Sequence, residues 1–253
     1  MIFENECLDD LQLNGLWLIQ KKDGFKFGVD AVLLSDFAKD APSKRTLDLC
    51  TGTGIVPILL SAKTKTPEIH GLEIQESICD MAKRSVEYNK LSDRVFITGG
   101  DLKNACEIYG KASFDKITCN PPYMECGKGL INSTDSLTVS RHEVKCTLDD
   151  VIRVSSQLLV QYGRFFMVHR PSRLADIICC MREYKIEPKR LRFVHPCAGK
   201  AANLILIEGT RCGGRELKML PPLYVYNTDG TYSDEINMIY GRNVKSDRKE
   251  DCN

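Results

Sequence analysis

The sequence predicts an α/β protein built on a mostly parallel sheet. Three observations carry that expectation. Short apolar strands alternate with amphipathic helices from about residue 29 to residue 181. The first of those strands runs into a glycine turn, Thr51-Gly52-Thr53-Gly54, that opens a helix. The last third then places two strands together with no helix between them, the pattern of an antiparallel pair added to a parallel sheet.

Residues 1–28 are mixed, with Lys21, Lys22 and Lys26 set around Phe25 and Phe27. Val29, Val32, Leu33 and Phe37 recur at helical spacing, so 29–39 reads as helix. A strand follows over 46–50. A helix follows over 55–62, with Pro57 in its first turn, where a missing N–H is tolerated. Residues 68–73 are a strand, 77–90 a helix with Ile78, Met81, Ala82, Ser85 and Val86 on one face, and 94–98 a strand. The strand 114–119 is stopped by Asn120-Pro121-Pro122-Tyr123, because proline cannot donate to a ladder. About twenty polar and glycine-containing residues come next, a length that marks a functional loop. Leu148, Val151, Ile152, Ser155, Leu158 and Leu159 make an amphipathic helix, then 163–169 is a strand and 173–181 a helix. Strands over 190–195, 203–208 and 223–226, a turn at Asn227–Gly230 and a helix over 233–240 complete the pattern.

Composition narrows the classes. The 253 residues are 43% hydrophobic, enough for a core and too many for wholesale disorder. No apolar run is long enough to span a membrane. The opening Met1-Ile2-Phe3-Glu4-Asn5-Glu6 lacks the basic and apolar regions of a secretory signal, so the chain is expected in the cytoplasm. The 12 cysteines include no Cys-x-x-Cys pair and only 4 histidines accompany them, so no metal site is expected. Most read as small buried hydrophobes.

Chemistry concentrates at two turns. Asp48, Cys50, Thr51, Gly52 and Gly54 stand where the first sheet strand enters its helix. Glycines there let a ligand approach the backbone, and the helix start offers unpaired N–H groups. Glu73, at the end of the next strand, can accept from two ribose hydroxyls. A dinucleotide fingerprint would need a third glycine where Pro57 stands, so the pair describes a nucleoside site and not a nicotinamide one. Asp101, after the third strand, is either an acceptor for an adenine amino group or a helix N-cap.

Asn120-Pro121-Pro122-Tyr123 is the most specific feature. The Asn120 side-chain oxygen and the Pro121 carbonyl are two acceptors suited to both hydrogens of a planar –NH2 group. Such an amine keeps its lone pair available for attack on an electrophilic methyl. The prolines fix the turn at low entropy cost. Tyr123 adds an aromatic face for a base, worth about 1–3 kcal/mol.

These motifs together resemble a class I S-adenosylmethionine-dependent methyltransferase of the amino-methylating group. The resemblance extends to Gly24-Phe25-Lys26-Phe27-Gly28-Val29-Asp30, Arg141-His142-Glu143, His169-Arg170-Pro171, Glu187–Arg190, Ala202-Asn203-Leu204, Pro221-Pro222-Leu223 and Asp229-Gly230 with Tyr232. Those stretches are similar to the bacterial family that methylates N6 of adenine 37 in valine tRNA. A departure is Cys50, where that family commonly has glycine. The resemblance implies a Rossmann-like fold of seven mostly parallel strands with an antiparallel edge strand. It implies a single domain over 1–253, with an extension at 1–28, a catalytic core at 29–220 and a C-terminal hairpin, helix and tail at 221–253. It implies cofactor contacts at Asp30, Asp48, Cys50, Thr51, Gly52, Gly54, Glu73, Ile74, Asp101, Leu102 and Asn120, with Asn120, Pro121, Pro122 and Tyr123 holding the target amine.

Charge points to the partner. The net charge of +1 hides twelve Lys/Arg against five Asp/Glu between Arg164 and Lys218, so that segment is +7 and the rest −6. Backbone contacts to a tRNA anticodon stem-loop are expected from Lys21, Lys22, Lys26, Arg141, His142, Arg170 and Arg190. His142 and His169 read more readily as structural histidines. Similar Asn-Pro-Pro-Tyr enzymes modify a release-factor glutamine, ribosomal RNA guanine or DNA adenine, and a silent RNA-binding module is the remaining alternative. Cys50 and Cys119 flank the expected pocket, so a thiol reagent is expected to block it.

Overall fold

A computed structural model describes residues 1–23, 28–122 and 146–242. The chain opens with a hairpin, β1 (Glu6–Asp10) and β2 (Trp17–Lys21), paired antiparallel as a separate two-stranded sheet. Then follow α1 (Val29–Phe37), β3 (Arg45–Leu49), α2 (Ile55–Lys63), β4 (Glu68–Glu73), α3 (Glu76–Tyr88), β5 (Val95–Gly99), α4 (Ala105–Tyr109) and β6 (Phe114–Cys119). After the undescribed stretch come α5 (Leu148–Leu158), β7 (Leu159–His169), α6 (Leu174–Glu183), β8 (Ile186–His195), β9 (Leu204–Arg211), β10 (Lys218–Met219), β11 (Leu223–Tyr224) and α7 (Asp234–Ile239).

The main sheet runs in the order β10-β8-β9-β7-β6-β3-β4-β5, with β11 also on β8. β3, β4, β5, β6 and β7 are mutually parallel. β9 alone runs against both its neighbours, β7 and β8. Two differences from expectation follow. The antiparallel strand stands inside the sheet between β7 and β8, because the short Pro196–Asn203 connection forces β8 and β9 to pair as a hairpin while β9 takes the place beside β7. The two-residue strands β10 and β11 add to β8, β11 at the start of the expected 223–226 strand, so the described residues form a nine-stranded sheet where the resemblance implied seven.

Two apolar layers sandwich the sheet. One is formed by α1, α2, α3 and α7, with Leu33, Leu34, Ile58, Leu59, Phe166 and Ile236 in its centre. The other is formed by α4, α5 and α6, with Phe114, Ile117, Val151, Leu158, Phe165 and Ile177. Strands buried on both faces read as continuous apolar runs, as in Phe165-Phe166-Met167-Val168. Lys116 breaks that pattern. It is 1% exposed, and its Nζ has no hydrogen-bond partner among the described residues.

The hairpin was not legible as strands, because its apolar residues are few and interrupted by acids. It is pinned to α3 by specific bonds. Ile19 N donates to Ser85 Oγ at 3.0 Å, Trp17 exchanges two bonds with the Asn89 amide, and Arg84 pairs with Glu6 at 2.6 Å. Its loop is also tied to the far end of the chain, where Arg242 Nε donates to Gln12 Oε1 at 2.8 Å across 230 residues.

Candidate active site

Parallel strands bring their carboxyl ends to one edge, and the sequence-predicted residues gather there. Leu49 at the end of β3 is level with Cys119 at the end of β6 and with Leu72 in β4. Cys50–Gly54, Glu73-Ile74, Gly100-Asp101, Asn120–Pro122 and His169-Arg170 therefore emerge side by side. Adjacent strands lie about 4.8 Å apart. The edge from the glycine turn to Asn120 is thus one strand wide.

The glycine turn has a specific geometry. Gly52 and Gly54 have φ of 56° and 84°, the left-handed region open to glycine. A Cβ at Gly52 would meet nothing within 4 Å, so the space beside it is open to a ligand. Thr51 turns inward instead. Its side chain lies against Gly71 so closely that a Cβ there would meet Thr51 atoms at 2.8–2.9 Å. Cys50 has φ 57° with a side chain present, a strained conformation of order 1–2 kcal/mol.

Glu73 is 4% exposed and already anchored: Oε2 accepts from Gly52 N and Oε1 from Gln75 N, both at 2.9 Å. A carboxylate has about four acceptor sites, so capacity for two hydroxyls remains. Asp48 lies beneath, 1% exposed, and accepts from Thr118 Oγ1 at 2.6 Å. Burial pushes its carboxyl up to about 7, against the Thr118 hydrogen bond and with help from the Glu73 charge. Asp48 thus supports the turn from below. Asp101 caps the 3-10 turn Leu102–Asn104, accepting from Lys103 N at 2.9 Å. Ile74 is 38% exposed at the same edge, an apolar face beside Glu73, whereas Leu102 is buried in the core. Asp30 sits in the first turn of α1, accepting from Ala31 N.

Asn120 follows the fully buried Cys119, with Pro121 buried and Pro122 exposed. The Cys50, Cys119 and Cys146 side chains interact with one another at this edge. The contact with Cys119 and burial push the Cys50 thiol well up, with Cys146 opposing, and the contact with Cys50 and burial push the Cys146 thiol up. Burial pushes Cys119 up. Tyr123, Arg141, His142 and Lys26 lie outside the described residues.

The expected RNA-facing residues divide. Arg170 stands at the end of β7 on the site's edge, with Nη1 donating to Asn203 O. His169 is 5% exposed, accepts from Arg170 N, and is held neutral by burial, its pKa lowered to about 4. Arg190 is instead built into the fold. It pairs with Glu208, covers the Phe37 ring at 4.7 Å and donates to Phe37 O, at the end of α1 opposite Asp30. Lys21 and Lys22 are exposed at the open end of the hairpin, where Lys22 Nζ donates to Glu4 O. Sequence reasoning missed Thr118, Gly71 and Cys146. A hydroxyl and a glycine inside buried strands were signals for the first two, and nothing signalled the third.

A β5-β4-β3-β6-β7 parallel run closed by an inserted antiparallel strand, with a nucleoside-shaped edge, defines a class I methyltransferase. The fold is shared with a predicted O-methyltransferase from Agrobacterium tumefaciens, at TM-score 0.68 and 22% identity, covering 85% of this chain and 100% of that one. It is shared more loosely with geranyl diphosphate C-methyltransferase from Streptomyces coelicolor, solved with S-adenosyl-L-homocysteine, at TM-score 0.54 and 12% identity over 71% and 77% of the chains. Residues 23–176, more than half the chain, match the family described as methyltransferase small domain, and the chain belongs to that family. A relative in Porphyromonas gingivalis, named tRNA1(Val) (adenine(37)-N6)-methyltransferase, is 29% identical over 190 residues, covering 72% of this chain and 73% of that protein. A relative of the same name in Aeromonas hydrophila is 25% identical over 210 residues, 83% and 86% of the two.

The residues fit S-adenosylmethionine. Open space beside Gly52, residual acceptor capacity on buried Glu73 and the exposed apolar face of Ile74 match a nucleoside carrying two hydroxyls and a flat base.

Proposed function

We propose that the protein transfers a methyl group to N6 of an adenine in tRNA, at position 37 of a valine tRNA as the names of its relatives read. The observation that carries this is the position of Asn120-Pro121-Pro122. It leaves β6 one strand from the glycine turn, on the edge that holds Glu73 and Asp101.

S-adenosylmethionine, when bound, supplies a methyl group on a sulfonium centre open to attack by a nitrogen lone pair. The chain's residues do the positioning. Glu73 accepts from the ribose hydroxyls, and Asp101 faces the adenine end. Asp30 and the 51–54 backbone bound the methionine end. Asn120 Oδ1 and the Pro121 carbonyl accept the two hydrogens of the target amine and orient its lone pair. Tyr123, next in the sequence, is the residue that would stack on the base. No strong base is required, because the alkylated nitrogen is acidic and loses its proton to water. An unpaired anticodon-loop adenine can reach such a site for a few kcal/mol of unstacking.

The test is incubation with labelled S-adenosylmethionine and total tRNA, followed by digestion to nucleosides. Label in N6-methyladenosine is expected. Label confined to guanosine, or transfer only to a release-factor glutamine, would overturn the reading. Replacing Asn120 by alanine is expected to cut turnover roughly tenfold or more while cofactor affinity is kept. Unchanged turnover would remove Asn120 from its role.

A further inference from the structure

The C-terminal segment carries an aromatic construction that the reaction does not use. Tyr226 and Tyr232 form an isolated antiparallel bridge with their rings stacked, 5.1 Å apart and 16° from parallel. Tyr240 extends the stack behind Tyr232 at 6.0 Å, and the Arg242 guanidinium lies 5.2 Å and 4.7 Å from those two rings. Tyr232 and Tyr240 pack on the core, so the stack is fixed from behind. Its outer member, Tyr226, is 41% exposed, and Tyr224 beside it is 39% exposed.

The two exposed rings line a surface hollow of about 350 Å³ with Ala198, Asn227, Thr228 and Asp229. Tyr224 pairs with His195, the last residue of β8, and β8 ends at the same edge as β7. Along that edge Asn120 comes first, then Arg170, then His195 and Lys200, then the tyrosines. From β6 to β11 are four strand spacings, about 19 Å. That is the reach of a few nucleotides of single strand, with cations between the two ends. The hollow itself suits a base and not a phosphate. The Asp229 carboxyl is held below its usual range by bonds from the Thr231 hydroxyl and N–H, so it is ionised and repels phosphate while remaining an acceptor for a base amino group.

We infer that Tyr226 and Tyr224 form a second base-binding subsite, in which an unpaired nucleobase of the RNA substrate, a few positions from the methylated adenine, continues the tyrosine stack. This rests on the RNA reading above. Stacking of this kind tolerates any base, since every base has a flat π-face.

The experiment uses the full chain and a full-length unmodified tRNA transcript that the unaltered protein methylates. Tyr226→Ala is expected to raise KM for the transcript roughly tenfold, with kcat, cofactor affinity and melting temperature kept. Tyr226→Trp is expected to hold KM near its original value or lower it. A Tyr226→Ala protein with unchanged KM, or one whose kcat and melting temperature fall together with KM intact, would overturn the subsite. Failure of the unaltered protein to methylate any RNA would instead overturn the function on which the subsite rests.

Discussion

Lys116 and Asp48 hold opposite kinds of ionisation in the same sheet. Burial and the facing Arg164 lower the Lys116 amine to about 8, with Asp40 and Glu208 opposing. The native state therefore binds fewer protons than the unfolded chain between pH 8 and the ordinary 10.5, and stability rises with pH across that window. Below pH 8 the buried charge costs on the order of 3 kcal/mol. Lys116→Met is expected to raise stability by about that amount at pH 7 in urea unfolding, with the gain shrinking above pH 8. Asp48 has the reverse sign. Its native pKa of about 7 lies above the ordinary 3.8, so the native state binds more protons in between, and stability falls as pH rises through that window. Asp48→Asn is expected to flatten that decline. A melting curve series from pH 4 to pH 7 that slopes equally in both proteins would refute it. The thiols at the site are governed by the same physics. Cys50, Cys119 and Cys146 are held protonated, whereas Cys179 and Cys212 are exposed. Alkylation is expected to label Cys179 and Cys212 first, so inhibition by a thiol reagent should lag behind total labelling.

At the scale of elements, legibility followed the strength of the local signal. β4 and β6 fall where alternation and the flanking turns place them, and α5 begins at Leu148 because Thr147 and Asp150 form a reciprocal capping box. Thr147→Ala is expected to cost about 1 kcal/mol, read as a shift in unfolding midpoint. β8 begins four residues earlier than its apolar run, since Glu187-Pro188 is carried into the ladder by pairing with β9. β10 exists only as an addition to β8 and has no periodicity of its own, whereas β11 opens the expected 223–226 strand. The site was legible to a different degree. Glycines, acids and prolines at strand ends announce themselves. Support from inside, such as Thr118 beneath Asp48 or Gly71 beneath Thr51, depends on which strands become neighbours. Arg190 was misleading for the same reason. Its basic side chain carries no mark of the Glu208 carboxylate that β9 brings beside it.

Over the whole molecule, part of the charge on the basic segment 164–218 is spent inside the fold. Arg164 and Arg190 share Glu208, Arg173 pairs with Asp176, Arg182 with Glu187 and Arg192 with Glu235. Lys185, Lys200, Arg215 and Lys218 are exposed outside these pairs and can still reach phosphates. Affinity for tRNA is accordingly expected to fall with rising salt, with a log–log slope below what twelve free cations would give. Binding unchanged between low and moderate salt would exclude phosphate contacts as a main contribution. The bond between Arg242 and Gln12 bears on how the protein is born. Synthesis runs from the amino terminus, and whole units fold as they emerge. Residue 242 arrives after every strand of the sheet has been made. Until then the β1–β2 loop has no Arg242 to grip, and the tyrosine stack lacks the cation that lies over it. A nascent chain halted just short of that residue would keep its hairpin pinned to α3 and lack only this link to the C-terminal segment. A late side chain thus adds the last polar link between two ends already joined through the core.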